Sequence, residues 1–167
     1  QKSETLNFLG YTIKGGANYN LTDQHNVFFN VGYISRAPFF SGGAFLNSTV
    51  SNETNPDAIN EKIFSAEIGY GFKTKWLSAN LNAYFTKWLD KTTTKTGDYT
   101  LSDGTTDRYM FNMAGVNAKH MGVELDLKAR PTRWLALTGM LSVGDWKWDS
   151  DASGYFYNSA GQPLADL

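Results

Sequence analysis

Between Phe64 and Phe85 apolar and polar residues alternate one by one, in two runs joined by the polar turn Lys73-Thr74-Lys75. Phe64, Ala66, Ile68, Tyr70 and Phe72 share one parity, against Ser65, Glu67, Gly69, Gly71 and Lys73. The second run repeats this: Leu77, Ala79, Leu81, Ala83 and Phe85 alternate with Ser78, Asn80, Asn82, Tyr84 and Thr86. Strand side chains point to opposite faces with period two, so the stretch predicts a β-hairpin with one apolar and one polar face. Comparable runs flank it. Tyr11, Ile13, Ala17 and Tyr19 mark a first strand within about 6–21, and Val27, Phe29, Val31 and Tyr33 a second, whose other face (Phe28, Asn30, Gly32, Ile34) is mixed. Met121, Val123, Leu125, Leu127 and Ala129 oppose His120, Gly122, Glu124, Asp126 and Lys128. After the turn Arg130-Pro131-Thr132-Arg133, Leu135, Leu137, Gly139, Leu141 and Val143 form a sixth run. The pattern predicts an all-β, antiparallel, up-and-down array of about six consecutive strands, in three hairpins.

The polar parity holds mostly Ser, Asn, Gly and Thr with isolated charges, groups suited to a crowded aqueous lumen rather than an open solvated face. The apolar parity carries no charge from Phe64 to Phe72 or from Leu77 to Phe85. A charge at mid-bilayer costs about 2–4 kcal/mol on a lipid-facing strand, so this pattern fits a transmembrane barrel that turns its apolar side outward. Connections alternate in length. Short turns near Asp23, Thr74 and Thr132 separate irregular stretches at 36–60, 90–108 and 149–167, and outer-membrane barrels have short periplasmic turns and longer extracellular loops. The Thr-rich part of 90–108 tolerates strand structure, leaving the strands free to run past the bilayer before the loop tip. Tyr19, Phe72, Trp76 and Trp134 lie beside short turns and Tyr33, Trp88, Trp146 and Trp148 near the long-loop ends, as two interfacial girdles would require.

Composition narrows the field. A chain of 167 residues with 15% aromatics, 16 Gly and only 4 Pro fits many strands. Its net charge of −1 offers no basic field for nucleic acid, and without Cys there are no disulfides or thiolate metal sites. No apolar run approaches the roughly 18 residues of a membrane helix, which says nothing about strands. The amino end, Gln1-Lys2-Ser3-Glu4-Thr5, has no apolar signal core, and the abrupt Ala165-Asp166-Leu167 end leads us to expect part of a longer protein.

Several segments resemble one family. Tyr33-Ile34-Ser35-Arg36-Ala37-Pro38, then Asn55-Pro56-Asp57 followed by Glu61-Lys62, then Glu67-Ile68-Gly69-Tyr70, and finally the stretch from Ala114 through Asn117, Gly122 and Glu124 to Leu125, look like barrel strands of TonB-dependent outer-membrane receptors. The likeness runs from about Tyr11 to Trp148. It implies a plugged barrel of about twenty-two strands in the outer membrane of a Gram-negative bacterium, coupled to the TonB energy-transducing complex. Such a barrel imports a scarce nutrient such as an iron–siderophore, haem, cobalamin or a glycan, and is not an enzyme. No plug domain, coupling box or signal peptide is recognisable in 1–167, so the whole chain is expected to be three hairpins from the carboxy-terminal half of one such barrel. The partners implied are outer-membrane lipid, the energy complex acting through the plug, and a small ligand; a surface lipoprotein stays open.

Candidate chemistry is sparse. Glu67, Glu124 and Asp126 share the lumen parity, where pairing with Lys14, Lys73 and Lys128 or with neighbouring strands accounts for them without catalysis. His25 and His120 lack further ligands at metal spacing, and there is neither a Gly-x-Ser-x-Gly elbow nor a phosphate-binding glycine loop. We therefore expect no cofactor, metal or catalytic residue. The candidate substrate-binding residues are Arg36, Phe39 and Phe40 at one long-loop end and Trp146 and Trp148, which alternation puts on the lumen-side parity, at another, where aromatic platforms beside polar groups suit a sugar ring or an aromatic chelator. Two alternatives share parts of the pattern: a passive porin, and a soluble all-β carbohydrate-binding module.

Overall fold

A computed structural model of the chain describes residues 2–46, 52–151 and 153–164. Positions 47–51 of the expected 36–60 loop, and the 165–167 end, lie outside the described residues. Seven strands form one antiparallel sheet: β1 (Tyr11–Asn20), β2 (His25–Arg36), β3 (Glu61–Lys73), β4 (Leu77–Thr100), β5 (Thr106–Ala129), β6 (Leu137–Trp148) and β7 (Ser153–Asn158). Each of the first six pairs with the next, and β7 pairs with β5. Among the described residues the sheet stays open, with β1 paired only to β2 and β6 only to β5.

Register turns the sequence parity into faces. Phe29, Ile68, Ala83, Val123 and Val143 lie in one row across β2 to β6, and Val27, Tyr70, Leu81, Leu125 and Leu141 in another. The rows between them hold Phe28, Gly69, Asn82, Glu124 and Ser142, or Asn30, Glu67, Tyr84, Gly122 and Gly144, which point the other way. The apolar face is bare: Ile68 is 61% exposed, Leu137 53% and Val143 67%. Aqueous proteins rarely leave so large an apolar patch uncovered. The buried apolar residues, Ala44, Phe45, Leu46, Ile63, Val116, Ala118 and Tyr157, gather instead where the 36–46 segment meets the sheet. Phe28, the large apolar residue that blurred the polar face of β2, sits over Gly69, where any Cβ would come within 2.2 Å of its ring. The missing side chain opposite makes room for the ring.

The 90–108 stretch is less irregular than its composition suggests, and the strands run past the apolar band to a short loop tip, as its Thr-rich part allows. Asp90–Thr100 and Thr106–Arg108 belong to β4 and β5, leaving a turn at 101–105 closed by Leu101 N–H to Thr105 O at 2.8 Å and Gly104 N–H to Leu101 O at 2.9 Å. Thr92, Thr93 and Thr94 suit a pleated ladder through their β-branched side chains. Twenty-four residues per strand reach about 80 Å at roughly 3.3 Å each. A bilayer takes only about 9–11 strand residues. The ladder passes two irregularities, one between Trp88 and Lys91 and one between Lys91 and Thr93. Asp90 (φ 58°) lies in the first and Gly115 (φ 70°) opposite the second. The stretch after Trp148 differs as well: β7 resumes along β5 where β6 stops, pairing Ser153 with Ala114 after β6 has paired Trp148 with Ala118.

Aromatic placement is corrected in part. Tyr19 and Phe72 lie on the bare face near the short turns, and Tyr11 stacks on Tyr33 at 6.0 Å at the other end. Trp88, however, shares a row with Ile63, Ala118 and Trp148 on the polar, inner face. The tyrosines thus take the bare face at this end, and Trp88 joins Trp148 on the polar face, where alternation already puts Trp146 and Trp148. Val123→Arg or Leu81→Lys, midway along the bare face, is expected to cost about 2–4 kcal/mol of folding stability in bilayers. Asn80→Lys, opposite Asp126 on the inner face, should cost less than about 1 kcal/mol; denaturant titration of folding into vesicles measures both.

Candidate functional site

The 36–46 segment is a built platform rather than a free loop. At its root Arg36, the last residue of β2, stands opposite Glu61, the first of β3. Arg36 donates from Nε at 2.8 Å and from Nη2 at 2.5 Å to one carboxylate oxygen of Glu61. The other oxygen accepts from the Thr92 backbone N–H at 2.9 Å and its hydroxyl at 3.1 Å. Glu61 is fully buried, and four donors compensate its desolvation. One carboxylate thereby clamps β2, β3 and β4.

Above the clamp, two cations and two rings interleave. The Arg36 guanidinium lies 4.9 Å from the Phe39 ring and 5.6 Å from Trp88, while Lys91 Nζ lies 5.6 Å and 5.0 Å from the same rings. Each is within cation–π range. The chain then turns tightly, with Ala44 N–H to Phe39 O at 2.8 Å and Phe45 N–H to Phe40 O at 2.9 Å. Gly42 has φ 76°, and a Cβ there would lie 2.2 Å from Thr94 Oγ1; backbone conformation and close approach both demand glycine. The turn at Asn55-Pro56-Asp57 pins this platform. Buried Asn55 donates to Gly43 O at 2.8 Å and accepts the Asp57 N–H at 2.9 Å. The Tyr155 hydroxyl of β7 donates to Asp57 at 2.7 Å. That bond chiefly, with burial and the Asp57 charge adding to it, raises the Tyr155 pKa above its usual 10.0.

Of the residues expected at the site, Arg36 and Phe39 come together, while Phe40 turns onto Phe45, 4.6 Å away. Trp146 donates its indole N–H to Tyr84 at 2.9 Å and stays 56% exposed. Trp148 lies two strands from Trp88 in the same inner row, with buried Ala118 between them. Trp88, Lys91 and Glu61 are the residues that sequence reasoning left out. Trp88 was legible in principle, because its parity matches Thr86 and not Phe85. Further down the inner wall lies a concavity of about 590 Å³ lined by Lys14, Gly16, Asn30, Gly32, Ser65 and Glu67, in which Asn30 donates to Glu67 at 3.2 Å. His25 is hydrogen-bonded to the Tyr70 hydroxyl and packs on Phe72. Among the described residues no three His, Asp or Glu side chains converge as metal ligands would.

A family model described as "TonB dependent receptor-like, beta-barrel" matches residues 2–167. The chain belongs to the TonB-dependent receptor family. No curated protein and no solved structure matches it. For a TonB-dependent receptor the two faces have a direct meaning. The bare face is the membrane side of an outer-membrane receptor and transport barrel, and the face carrying the 36–46 platform is its interior.

Two outcomes follow from this geometry. Glu61→Ala removes the acceptor from Thr92 and the counter-charge from Arg36, whose side chain is 40% exposed. It should lower stability by about 1–3 kcal/mol and open the 37–46 segment to limited proteolysis, whereas Glu61→Gln, which keeps an acceptor, should do less. Because the Tyr155 pKa is raised by folding, its contribution to stability is complete below pH 10.0 and is lost as pH rises through the raised value. Thermal unfolding against pH, compared with Tyr155→Phe, measures this.

Proposed function

We propose that this barrel carries out energy-coupled uptake of a scarce nutrient, of the class of an iron–siderophore, haem, cobalamin or a glycan. The 36–60, 90–108 and 149–167 regions face outward. Arg36, Phe39, Trp146 and Trp148, together with Trp88 and Lys91, form the capture surface, and Phe40 holds the platform that carries Phe39. The observation that supports this most is the interleaving of Arg36 and Lys91 with Phe39 and Trp88 on the interior wall. Flat rings fixed beside cations bind a ring-bearing or anionic solute by stacking and charge at little entropic cost.

The mechanism follows from the placement of these groups. Ligand stacks on the tryptophans and on Phe39 at the outer mouth, where Glu61 holds Arg36 at a set position. It then meets a polar interior of Asn30, Ser65, Glu67, Asn82 and Glu124, which exchange hydrogen bonds with a solute without an apolar barrier. Gating belongs to the plug, and the pull on it to the energy-transducing complex in the inner membrane.

The test uses cells that depend on the full-length receptor for a limiting nutrient. Arg36→Ala, Trp88→Ala and Trp148→Ala should each weaken uptake about 2–10-fold at low nutrient, the size of one ring or cation contact. Deleting the energy-transducing complex should abolish uptake. Undiminished uptake after that deletion identifies a passive porin instead.

A further inference from the structure

The two short turns of β3–β4 and β5–β6 carry a feature that nutrient uptake does not use. Lys73, Lys75, Lys128, Arg130 and Arg133 gather at this edge of the sheet, and neither 68–89 nor 127–144 contains an Asp or Glu. All five residues are exposed. Every ion pair among the described residues lies at the other, long-loop end, where Arg36, Lys62, Lys87, Arg108 and Lys147 each meet an acid. Asp126, one row above Lys128 and opposite Asn80, pairs with none of the five cations. One end of the wall is therefore balanced in charge, and the other is left positive.

Backbone bonds join the two turns into one shaped surface. Arg130 N–H donates to Trp76 O at 2.7 Å, and Leu77 N–H donates to the Thr74 hydroxyl at 3.0 Å. Between them lies a concavity of about 250 Å³ lined by Lys73, Lys75, Trp76, Lys128 and Arg130. Lys73, Ser78, Lys128 and Thr138 share a row of the inner face, so a lipid lying on the bare face does not reach these two lysines. Their ligand arrives from the water beneath the barrel. Cations spread over two linked turns favour a ligand that repeats its anionic groups, because each contact after the first is intramolecular. Trp76 and Trp134, both exposed beside the cations, offer flat faces on which a sugar ring packs.

We propose that this edge docks onto the cell-wall polymer beneath the outer membrane, a chain of amino sugars bearing carboxylate-rich peptide stems. Stem carboxylates sit on Lys73, Lys128 and Arg130 in the concavity, and an amino-sugar ring packs on Trp76 or Trp134. Charge complementarity identifies the occupant: the polymer repeats its carboxylates along its length, and it joins them to sugar rings in a single ligand. Binding anchors the receptor above the wall without using the capture surface at the opposite end. The proposal rests on the outward placement of the 36–60, 90–108 and 149–167 regions given above, which puts these turns in the periplasm.

The test is co-sedimentation of the full-length receptor, purified in detergent, with isolated cell-wall sacculi. Wild-type protein should sediment with them, less so as salt rises, and not with sacculi whose carboxylates have been capped as methylamides. Lys73→Gln/Lys128→Gln/Arg130→Gln should bind at least about tenfold more weakly, while Lys95→Gln at the opposite end binds like the wild type. Equal thermal unfolding in detergent establishes that the triple variant folds; if it does not fold, Lys75→Gln/Arg133→Gln, confined to the turns, serves instead and should bind about threefold more weakly. Unchanged binding in the folded variant, or equal binding to capped sacculi, overturns the proposal. Displacement by phosphatidylglycerol vesicles overturns it too and identifies a lipid site. In intact cells Lys75→Cys should resist a membrane-impermeant maleimide. Labelling from outside overturns the outward placement of the long regions together with the proposal, whereas protection without sacculus binding overturns the proposal alone.

Discussion

Antiparallel pairing held without a slip from the short turns up to Trp88 is the constraint on which everything else here depends. A shift of one residue at any pairing would turn a whole strand over, bringing Glu67 or Glu124 to lipid and Ile68 or Val123 to the interior. The short turns enforce the pairing, and the uniformity of the rows is its result. Because the rows through Leu81 and Ala83 are apolar from β2 to β6 while the rows through Asn82 and Tyr84 carry the polar groups, membrane and interior are separated by a wall one residue thick.

That separation also explains where order is stored. Within the apolar band the described residues form no core on either side, and the sheet is held by its ladder and, on the bare side, by lipid. Above the band the structure must hold itself together in water. There the burial begins: Glu61 under Arg36 and Thr92, Asn55 under the platform, and Phe45, Leu46, Val116 and Tyr157 packed away from solvent. The rim residues inherit their positions from this second, aqueous core. Phe39 and Trp88 are set by a buried carboxylate rather than by the membrane.

The same division decides what the sequence made legible. Alternation at Phe64–Phe85 and Met121–Ala129 gave strands, faces and hairpin order directly, because lipid on one side and water on the other imprint period two. Beyond the band both faces meet water or loop, the imprint fades, and the strand residues between Asp90 and Arg108 and in β7 read as irregular although the ladder continues. Glu61 was visible as part of a motif, but its burial depends on Thr92, which only the pairing of β3 with β4 brings near. Arg36 and Phe39 were found together because they are three residues apart. Trp88 lies at the height of a girdle, but parity and not height decides which face it takes, and its parity is that of Thr86.

The paired irregularities at Asp90 and Gly115 have a consequence for how such proteins diversify. The first adds a residue to β4 and the second adds one to β5, so the original alignment returns by Thr93 and Met113. Extra residues of this kind sharpen local twist and re-aim a strand. The upper hairpin thus stands on a re-aimed base, set apart in twist from the ladder beneath and braced by the platform beside it. Whole turns could be grafted onto it or pruned from it while the part in the bilayer stays the same, which lets recognition drift quickly above a wall that changes slowly.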